Sequence, residues 1–393
     1  MRTALLLERF DTRRGGAEVY AARLAEALLV AGHRVEVFCR EAGAGVSGVE
    51  VHEIGSGGWT RGGRIRGFAR ACEEAVRGEG FDAVMGVGRT LGQDVLMPPG
   101  GMVRGAREGT LRSLTNPVEI LAKKAGWRVG GAARATAAIE RKQFDAKGRT
   151  HYVINSKMVL ADLERDYEID EKRVHLMYTG VDTRRFSPET RGAAREAARK
   201  RLGLGEETAF LFAGHNFRLK GLETLLAASA RLVEQGEGKF RVLVAGGGAG
   251  KRKGFEKLER ALGLGKRVTF LGAVEEMLPM YGAADAVVHP TFYDPLANVT
   301  LEAWACGLPT ITSEWNGAAE LMTGELEHWV VEDPTDGETL SARMKELMEL
   351  MDGERREAVG KRFRETAERH DMRGHCAEVV KLFEQVLAEK ERG

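Results

Sequence analysis

Apolar residues along this chain fall in short runs, each followed by a stretch with helical spacing. Ala4-Leu5-Leu6-Leu7 is the first run and predicts a strand. Arg13-Arg14-Gly15-Gly16 breaks it, Val19 to Ala31 carries apolar positions at the helical period, and Gly32-His33 stops the helix. Val35-Glu36-Val37-Phe38 then predicts a second strand, which completes one βαβ unit. Phe81 to Val87 is a further strand, reached from a helix through Arg77-Gly78-Glu79-Gly80, and His151 to Ser156 reads as the last strand of this half.

The pattern then restarts. Ala209 to Gly214, Phe240 to Ala245, Val268 to Leu271, Ala286 to Pro290 and Thr310 to Thr312 read as strands, the last closing the series. Gly221 to Glu234 predicts the first helix of this half, and helical stretches separate the later strands. Right-handed crossovers and a second parallel sheet follow. Residues 157–208 are polar and ambiguous, so the domain boundary is placed there, and residues 338–393 are charged and helix-prone. The expected fold class is α/β, with two Rossmann-like domains facing a cleft.

Composition narrows the function classes. Of 393 residues, 43% are hydrophobic, enough for two cores. Lys and Arg total 59 against 58 Asp and Glu, so no global field points to nucleic acid as a partner. The cysteines at 39, 72, 306 and 376 form neither a C-x-x-C pair nor a zinc-spaced cluster, and read as reduced thiols. The run after Met1 ends at Glu8-Arg9, too short for a signal segment or a membrane span, and no repeat of solenoid length is present. A cytoplasmic protein is expected. Residues 101–150 depart from the neutral average, with eleven Lys or Arg against four Asp or Glu. Such a segment suits an anionic membrane surface or a phosphorylated acceptor; a solvated basic helix face is the alternative.

Four segments carry candidate chemistry. Ala245 to Arg252 comes close to a phosphate-cradling P-loop, but Arg252 stands where a hydroxyl should meet Mg²⁺, so a strand-end glycine turn is the better reading. Gly15-Gly16, before the first helix, lets the backbone approach an anion or is an ordinary βα turn. Asn216 to Gly221 sets Arg218 and Lys220 beyond a strand, where cations suit a diphosphate, the alternative being two surface charges. From His289 to Pro309 a strand ends, a turn carries Asp294, and a helix runs from about Asn298 to Cys306. Glu302 lies in that helix among Leu301, Ala303 and Trp304, where a carboxylate needs a hydrogen-bond partner. Acceptance of hydroxyls from a polyol such as ribose is the functional reading, a helix-dipole partner the bland one.

The segment from Asp294 to Glu302 resembles the acid-x₇-acid motif of retaining glycosyltransferases of family 4, with Asp294 in place of the usual Glu. Gly15-Gly16-Ala17-Glu18, Thr179 to Pro188, Lys220-Gly221, Phe270-Leu271-Gly272 and Asn316-Gly317-Ala318-Ala319-Glu320 are similar to further family segments, in the expected order. Within the family, Gln93-Asp94-Val95 and Ala138-Ile139-Glu140-Arg141 look most like the lipopolysaccharide core α-glucosyltransferase group. The resemblance implies a GT-B fold: an acceptor domain over 1–170, a donor domain over 171–365, and a terminal helix in 366–393 crossing back onto the first. It implies hexosyl transfer with retention, from a nucleotide-sugar to a glycan or glycolipid, with UDP-glucose as donor and a lipopolysaccharide core as acceptor. GDP-mannose as donor, an epimerase or hydrolase, and a non-catalytic scaffold are the alternatives. Lys220 and Arg218 would face the diphosphate, with Gly15 and Gly16 from the first domain. Glu302 would hold ribose, and Asp294 with Pro295, Leu296, Ala297 and Asn298 would hold sugar hydroxyls. The chain has no D-x-D motif, so no metal or other cofactor is expected. Attachment to the inner face of a membrane through residues 101–150 is a further expectation.

Overall fold

A computed structural model describes every residue except 13–14, 146–147, 248, 351–353 and 393, with side chains also left undescribed at 249–251 and 354. Internal packing divides the chain into two units, Met1–Thr179 with Met372–Gly393, and Gly180–Asp371.

The first unit is a seven-stranded sheet of β1 (Arg2–Phe10), β2 (Arg34–Ala42), β3 (Glu50–Glu53), β4 (Ala83–Val87), β5 (Val95–Met97), β6 (His151–Ile154) and β7 (Val174–Leu176). Its order is β3-β2-β1-β4-β5-β6-β7, with every pairing parallel. The helices are α1 (Gly16–Val30), α2 (Arg61–Val76), α3 (Val103–Arg112), α4 (Pro117–Val129), α5 (Gly131–Gln143) and α6 (Lys157–Asp166). Strand β1 is apolar on both faces because both faces are covered. Leu5 and Leu7 meet Tyr20 and Leu24 of α1, while Ala4 and Leu6 meet Phe38, Phe68 and Phe81.

The second unit opens with α7 (Pro188–Leu202) and continues through β8 (Thr208–Gly214), α8 (Leu222–Glu234), β9 (Phe240–Gly246), α9 (Ala249–Ala261) and β10 (Val268–Gly272). It runs on through α10 (Leu278–Ala283), β11 (Ala286–His289), α11 (Asn298–Ala305), β12 (Thr310–Ser313), β13 (Val330–Val331), α12 (Gly337–Glu349) and α13 (Glu354–Arg369). Its sheet order is β10-β9-β8-β11-β12-β13, again parallel throughout. Beneath the sheet, Asp285 is 2% exposed and holds the unit's lower edge together. It accepts from the Ala209 amide at 2.9 Å and from Arg195, Arg199 and Arg356 at 2.7, 3.0 and 3.0 Å. The chain then returns to the first unit as α14 (Met372–Arg392), whose Cys376, Val379, Leu382, Phe383 and Val386 share a core with Leu5 and Tyr20.

Several sequence expectations need correction. His151 to Ser156 is not the last strand of its half, since β7 pairs beyond it, and β13 pairs beyond Thr310 to Thr312. β3 and β5 were also unread, and all four strands are only two to four residues long. β3 reads Glu-Val-His-Glu, which has no apolar run to detect. The ambiguous stretch 157–208 holds α6, β7 and α7. Expected bounds at 170/171 and 365/366 fall inside packed structure: β7 still pairs with β6, and α13 runs unbroken to Arg369. The chain crosses instead at Thr179/Gly180 and Asp371/Met372.

Candidate active site

In the second unit β8 is flanked by β9 on one side and β11 on the other. The chain runs from β8 outward to β9 and β10 and returns on the other side of β8 as β11, so the strand order reverses between β8 and β11. That switch point, at the carboxyl ends of the strands, is where open parallel sheets bind ligands. Residues 215–221 follow β8 and residues 290–297 follow β11, and the two loops are stitched together. The Phe292 amide and Thr291 Oγ1 donate to the Leu219 carbonyl at 2.8 and 3.0 Å. Gly221, at φ 80°, lies so close to the Pro290 carbonyl that a β-carbon would strike it. Only glycine satisfies both the backbone angle and the contact.

This stitching brings Lys220 to Asp294. Lys220 Nζ donates to Asp294 Oδ2 at 2.5 Å and to the Tyr293 carbonyl at 3.2 Å. His289, 1% exposed at the end of β11, sets Nε2 3.4 Å from the same carboxylate oxygen. Burial pushes the Asp294 carboxyl up, but the Lys220 ammonium and the His289 N–H outweigh it and hold the group at about 2. Burial pulls His289 the other way, below the ordinary imidazole value, so it is neutral at physiological pH. Its Nδ1 is buried without a hydrogen-bond partner among the described residues. The cluster therefore sets the Lys220 ammonium on an ionised Asp294, with a neutral imidazole behind it.

Asn316 fixes the backbone around this cluster. It is fully buried, and its Oδ1 accepts from the Ala297 and Ala318 amides at 3.2 and 3.1 Å. Its Nδ2 donates to Thr300 and Thr312 at 3.1 and 3.0 Å. Asp294 also bridges to residues 315–317 through backbone bonds of 2.8 Å, from its amide to Trp315 and from Gly317 to its carbonyl. The segment Pro295-Leu296-Ala297 is thereby held rigid as it enters α11 at Asn298.

Glu302 lies one turn inside α11 and finds the partner that its apolar surroundings require. The Tyr281 hydroxyl, from fully buried Tyr281 in α10, donates to Glu302 Oε2 at 2.7 Å. Burial nevertheless raises the Glu302 carboxyl to about 7, with Tyr281 and Arg185 opposing the rise. The two acids of the motif thus differ in charge near neutrality: Asp294 is ionised and Glu302 is partly protonated.

Among the expected site residues, the structure joins Lys220, Asp294, Pro295, Leu296, Ala297 and Asn298 in one stitched group and places Glu302 on the adjoining helix. Arg218 is partly buried in the same turn as Lys220. Gly15 and Gly16 belong to the first unit, where Gly15 takes φ 71° before α1 and the Glu18 carboxylate folds over it. Arg13, Arg14 and Gly248 lie outside the described residues. At the end of β9, Gly246 and Gly247 have φ of 98° and 68° and press against the Gly214 carbonyl and the Phe217 ring. Arg252, on α9, pairs with Glu256 one turn on. Sequence reasoning missed His289, Tyr281 and Asn316 as site residues. The strand-ending position of His289 was a signal; nothing in the sequence links Tyr281 to Glu302.

Comparison with known proteins agrees with this fold. Residues 14–185 match the Glycosyltransferase Family 4 domain and residues 194–366 match Glycosyl transferases group 1. A D-inositol 3-phosphate glycosyltransferase of Corynebacterium urealyticum is 29% identical over 249 residues, 61% of this chain and 58% of the relative. The chain therefore spans little more than half the length of that relative. The lipopolysaccharide glucosyltransferase WaaG of Escherichia coli is 24% identical over 338 residues, 85% of this chain and 86% of the relative. The crystal structure of WaaG superposes with a TM-score of 0.78 at 22% identity, covering 97% of this chain and 99% of that one. HepE of Anabaena, in complex with UDP-glucose, gives a TM-score of 0.68 at 16% identity over 98% of this chain and 100% of that one. With both domains matched and both sheets of the expected kind, the chain belongs to the GT-B glycosyltransferases, as a member with a family 4 first domain and a group 1 second domain.

Proposed function

We propose that the enzyme moves a hexosyl group, glucose from UDP-glucose, to a glycan or lipid-linked glycan of the lipopolysaccharide-core kind, with retention at the anomeric carbon. The observation that carries this reading is the Lys220 cation pinned on Asp294 at the switch point of the second sheet. Charge builds on the leaving diphosphate as the glycosidic bond to phosphate breaks. Lys220, with Arg218 in the same turn, stabilises that charge, and a cation held in place beforehand pays little reorganisation as it develops. Asp294 and the backbone from Pro295 to Asn298 hold sugar hydroxyls, and Glu302 accepts from ribose. The acceptor hydroxyl attacks on the face the diphosphate leaves, forming the new bond while its proton passes to a phosphate oxygen. No metal enters this scheme, because side-chain cations supply the positive charge. The WaaG and HepE relatives support glucose and UDP through the names they carry.

A nucleotide-sugar binding panel tests the donor, with UDP-glucose expected to bind most tightly. Lys220→Ala should lower turnover at saturating donor by roughly 100-fold. A chelator should leave the wild-type rate unchanged. Wild-type turnover in the Lys220 variant, or free sugar released without an acceptor, would overturn the reading.

We further propose that α4 rests on an anionic membrane surface. None of its side chains is buried, and Val118, Leu121 and Val129 are 75, 70 and 78% exposed. With Ala125 they recur at three- and four-residue steps, which makes one apolar face on a helix that also carries Lys123, Lys124 and Arg128. No described helix is long and apolar enough to cross a membrane.

A further inference from the structure

Helices α2, α3, α4 and α5 line an open concavity of about 750 Å³ in the first unit. Its charged lining has one sign: Arg66, Arg107, Lys124, Arg128, Arg134 and Arg141, with no Asp or Glu. None of these six forms an ion pair among the described residues. Neighbouring cations do: Arg104 pairs with Glu108 and Asp166, and Arg165 with Asp162. The lack of carboxylates is therefore local to the cavity.

The walls are fixed before any ligand arrives. Gly62 of α2 packs so tightly on α5 that a β-carbon there would stand 2.6 Å from the Gly131 carbonyl. With no side chain between them, the next turn of each helix brings Arg66 and Arg134 to the same mouth. Arg107 donates to the Ala133 carbonyl at 3.2 Å and lies over the Trp127 ring at 5.4 Å. Trp127 projects from the side of α4 opposite Val118, Ala125 and Val129, while Lys124 and Arg128 lie between that side and Leu121, so the cavity borders the apolar face along one edge.

Converging like charges raise the energy of the empty cavity, and an anion of high charge density relieves it. Five of the six cations are arginines, whose planar forks match phosphate oxygens two at a time. A phosphomonoester, near two negative charges at neutral pH, neutralises more of the cluster than a phosphodiester or a carboxylate does. We propose that this cavity is a recognition site for a phosphomonoester group borne by the acceptor. Its assignment to the acceptor rests on the glycosyltransferase reading; the binding itself does not. The group could arrive on a soluble sugar or on a lipid headgroup, and the two arms of the test separate these sources.

The test uses the full chain. In one arm, glucose 6-phosphate is titrated calorimetrically against a glucose control. In the other, vesicles of phosphatidic acid are compared with phosphatidylglycerol vesicles of equal surface charge. Binding of glucose 6-phosphate supports the site with a solution source. Selectivity for phosphatidic acid alone supports it with a lipid source. In either case Arg66→Gln/Arg134→Gln should weaken binding by about tenfold or more. Arg66→Lys/Arg134→Lys should lose less, and UDP-glucose affinity, which reports intact folding, should not change. Val118→Ser, on the side of α4 opposite Trp127, should leave phosphomonoester binding as it was. No preference for the monoester in either arm, or a preference that survives in the glutamine variant, overturns the proposal. Failure of the glycosyltransferase reading would show differently, as absent UDP-glucose binding beside intact phosphomonoester binding.

Discussion

Glu302 and Asp294 lie eight positions apart, yet their environments drive their carboxyl groups in opposite directions. Asp294 has a cation within hydrogen-bond reach; Glu302 has a neutral phenol and a more distant Arg185. Because the folded-state value of Glu302 is raised, its contribution to stability is full below about 4.5 and is lost as pH rises through about 7. Wild type should therefore lose stability relative to Glu302→Gln across that window, by on the order of 3 kcal/mol at most. Urea titrations of both proteins at pH 5 and 8 check this, and parallel curves would remove Glu302 as the source. If ribose hydroxyls donate to the ionised carboxylate, donor affinity should rise between pH 5 and 8 in wild type and stay flat in the Gln variant. Calorimetry at both values reads the difference. The sequence showed that Glu302 needed a partner but could not supply Tyr281, which comes from a helix 21 positions earlier. His289 was visible only as the last residue of a strand, and its aim at Asp294 depends on the turn that follows.

At the scale of elements, the strongly apolar strands β1, β4, β8, β9 and β11 were legible because burial on both faces leaves a continuous run. Edge strands such as β3 and β13 are held by pairing rather than by their own pattern, so composition could not show them. The loops that form the site were legible as motifs, but not the stitching between them. Gly221 and Asn316 do that work in different ways. Gly221→Ala demands a positive φ from a residue with a β-carbon and drives that carbon into the Pro290 carbonyl, so it should cost more than about 1 kcal/mol. Asn316→Ala leaves the Ala297 and Ala318 amides without their acceptor, a loss of about 1–3 kcal/mol and of donor affinity together. Thermal denaturation with and without UDP-glucose measures both. For α4, Lys123→Gln/Lys124→Gln/Arg128→Gln should cut co-sedimentation with anionic vesicles, each exposed cation contributing up to about 1 kcal/mol. The attraction should fade with added salt, since screening lengths shorten. Equal sedimentation of both proteins at low and high salt would return α4 to a solvated helix face.

On the scale of the whole chain, α14 belongs to the first unit although it follows the second in sequence. Its apolar positions recur at three- and four-residue steps, which made a helix legible, but a helix face does not name the core that it fills. Phe383 is fully buried beside Leu5 and Tyr20, so Phe383→Ala should destabilise the first unit by about 3–5 kcal/mol. Asp285→Ala should destabilise the second by a similar amount, because it strands three arginines around a vacated pocket. Hydrogen exchange mapped by peptide distinguishes the two, with faster exchange expected in β1 and α1 for the first variant and in β8 and α7 for the second. Uniform acceleration in both units would mean that they open as one.

The position of α14 also sets an order of events during synthesis. A ribosome delivers all of the sheet of the first unit, then the entire second unit, before residues 372–386 emerge. Until then Leu5, Tyr20 and their neighbours lack the side chains that complete their core. The second unit, contiguous in the chain, is free to fold while translation continues, whereas the first waits with apolar surface uncovered. The half made first is the half finished last, and that interval is when this protein is most open to chaperone capture.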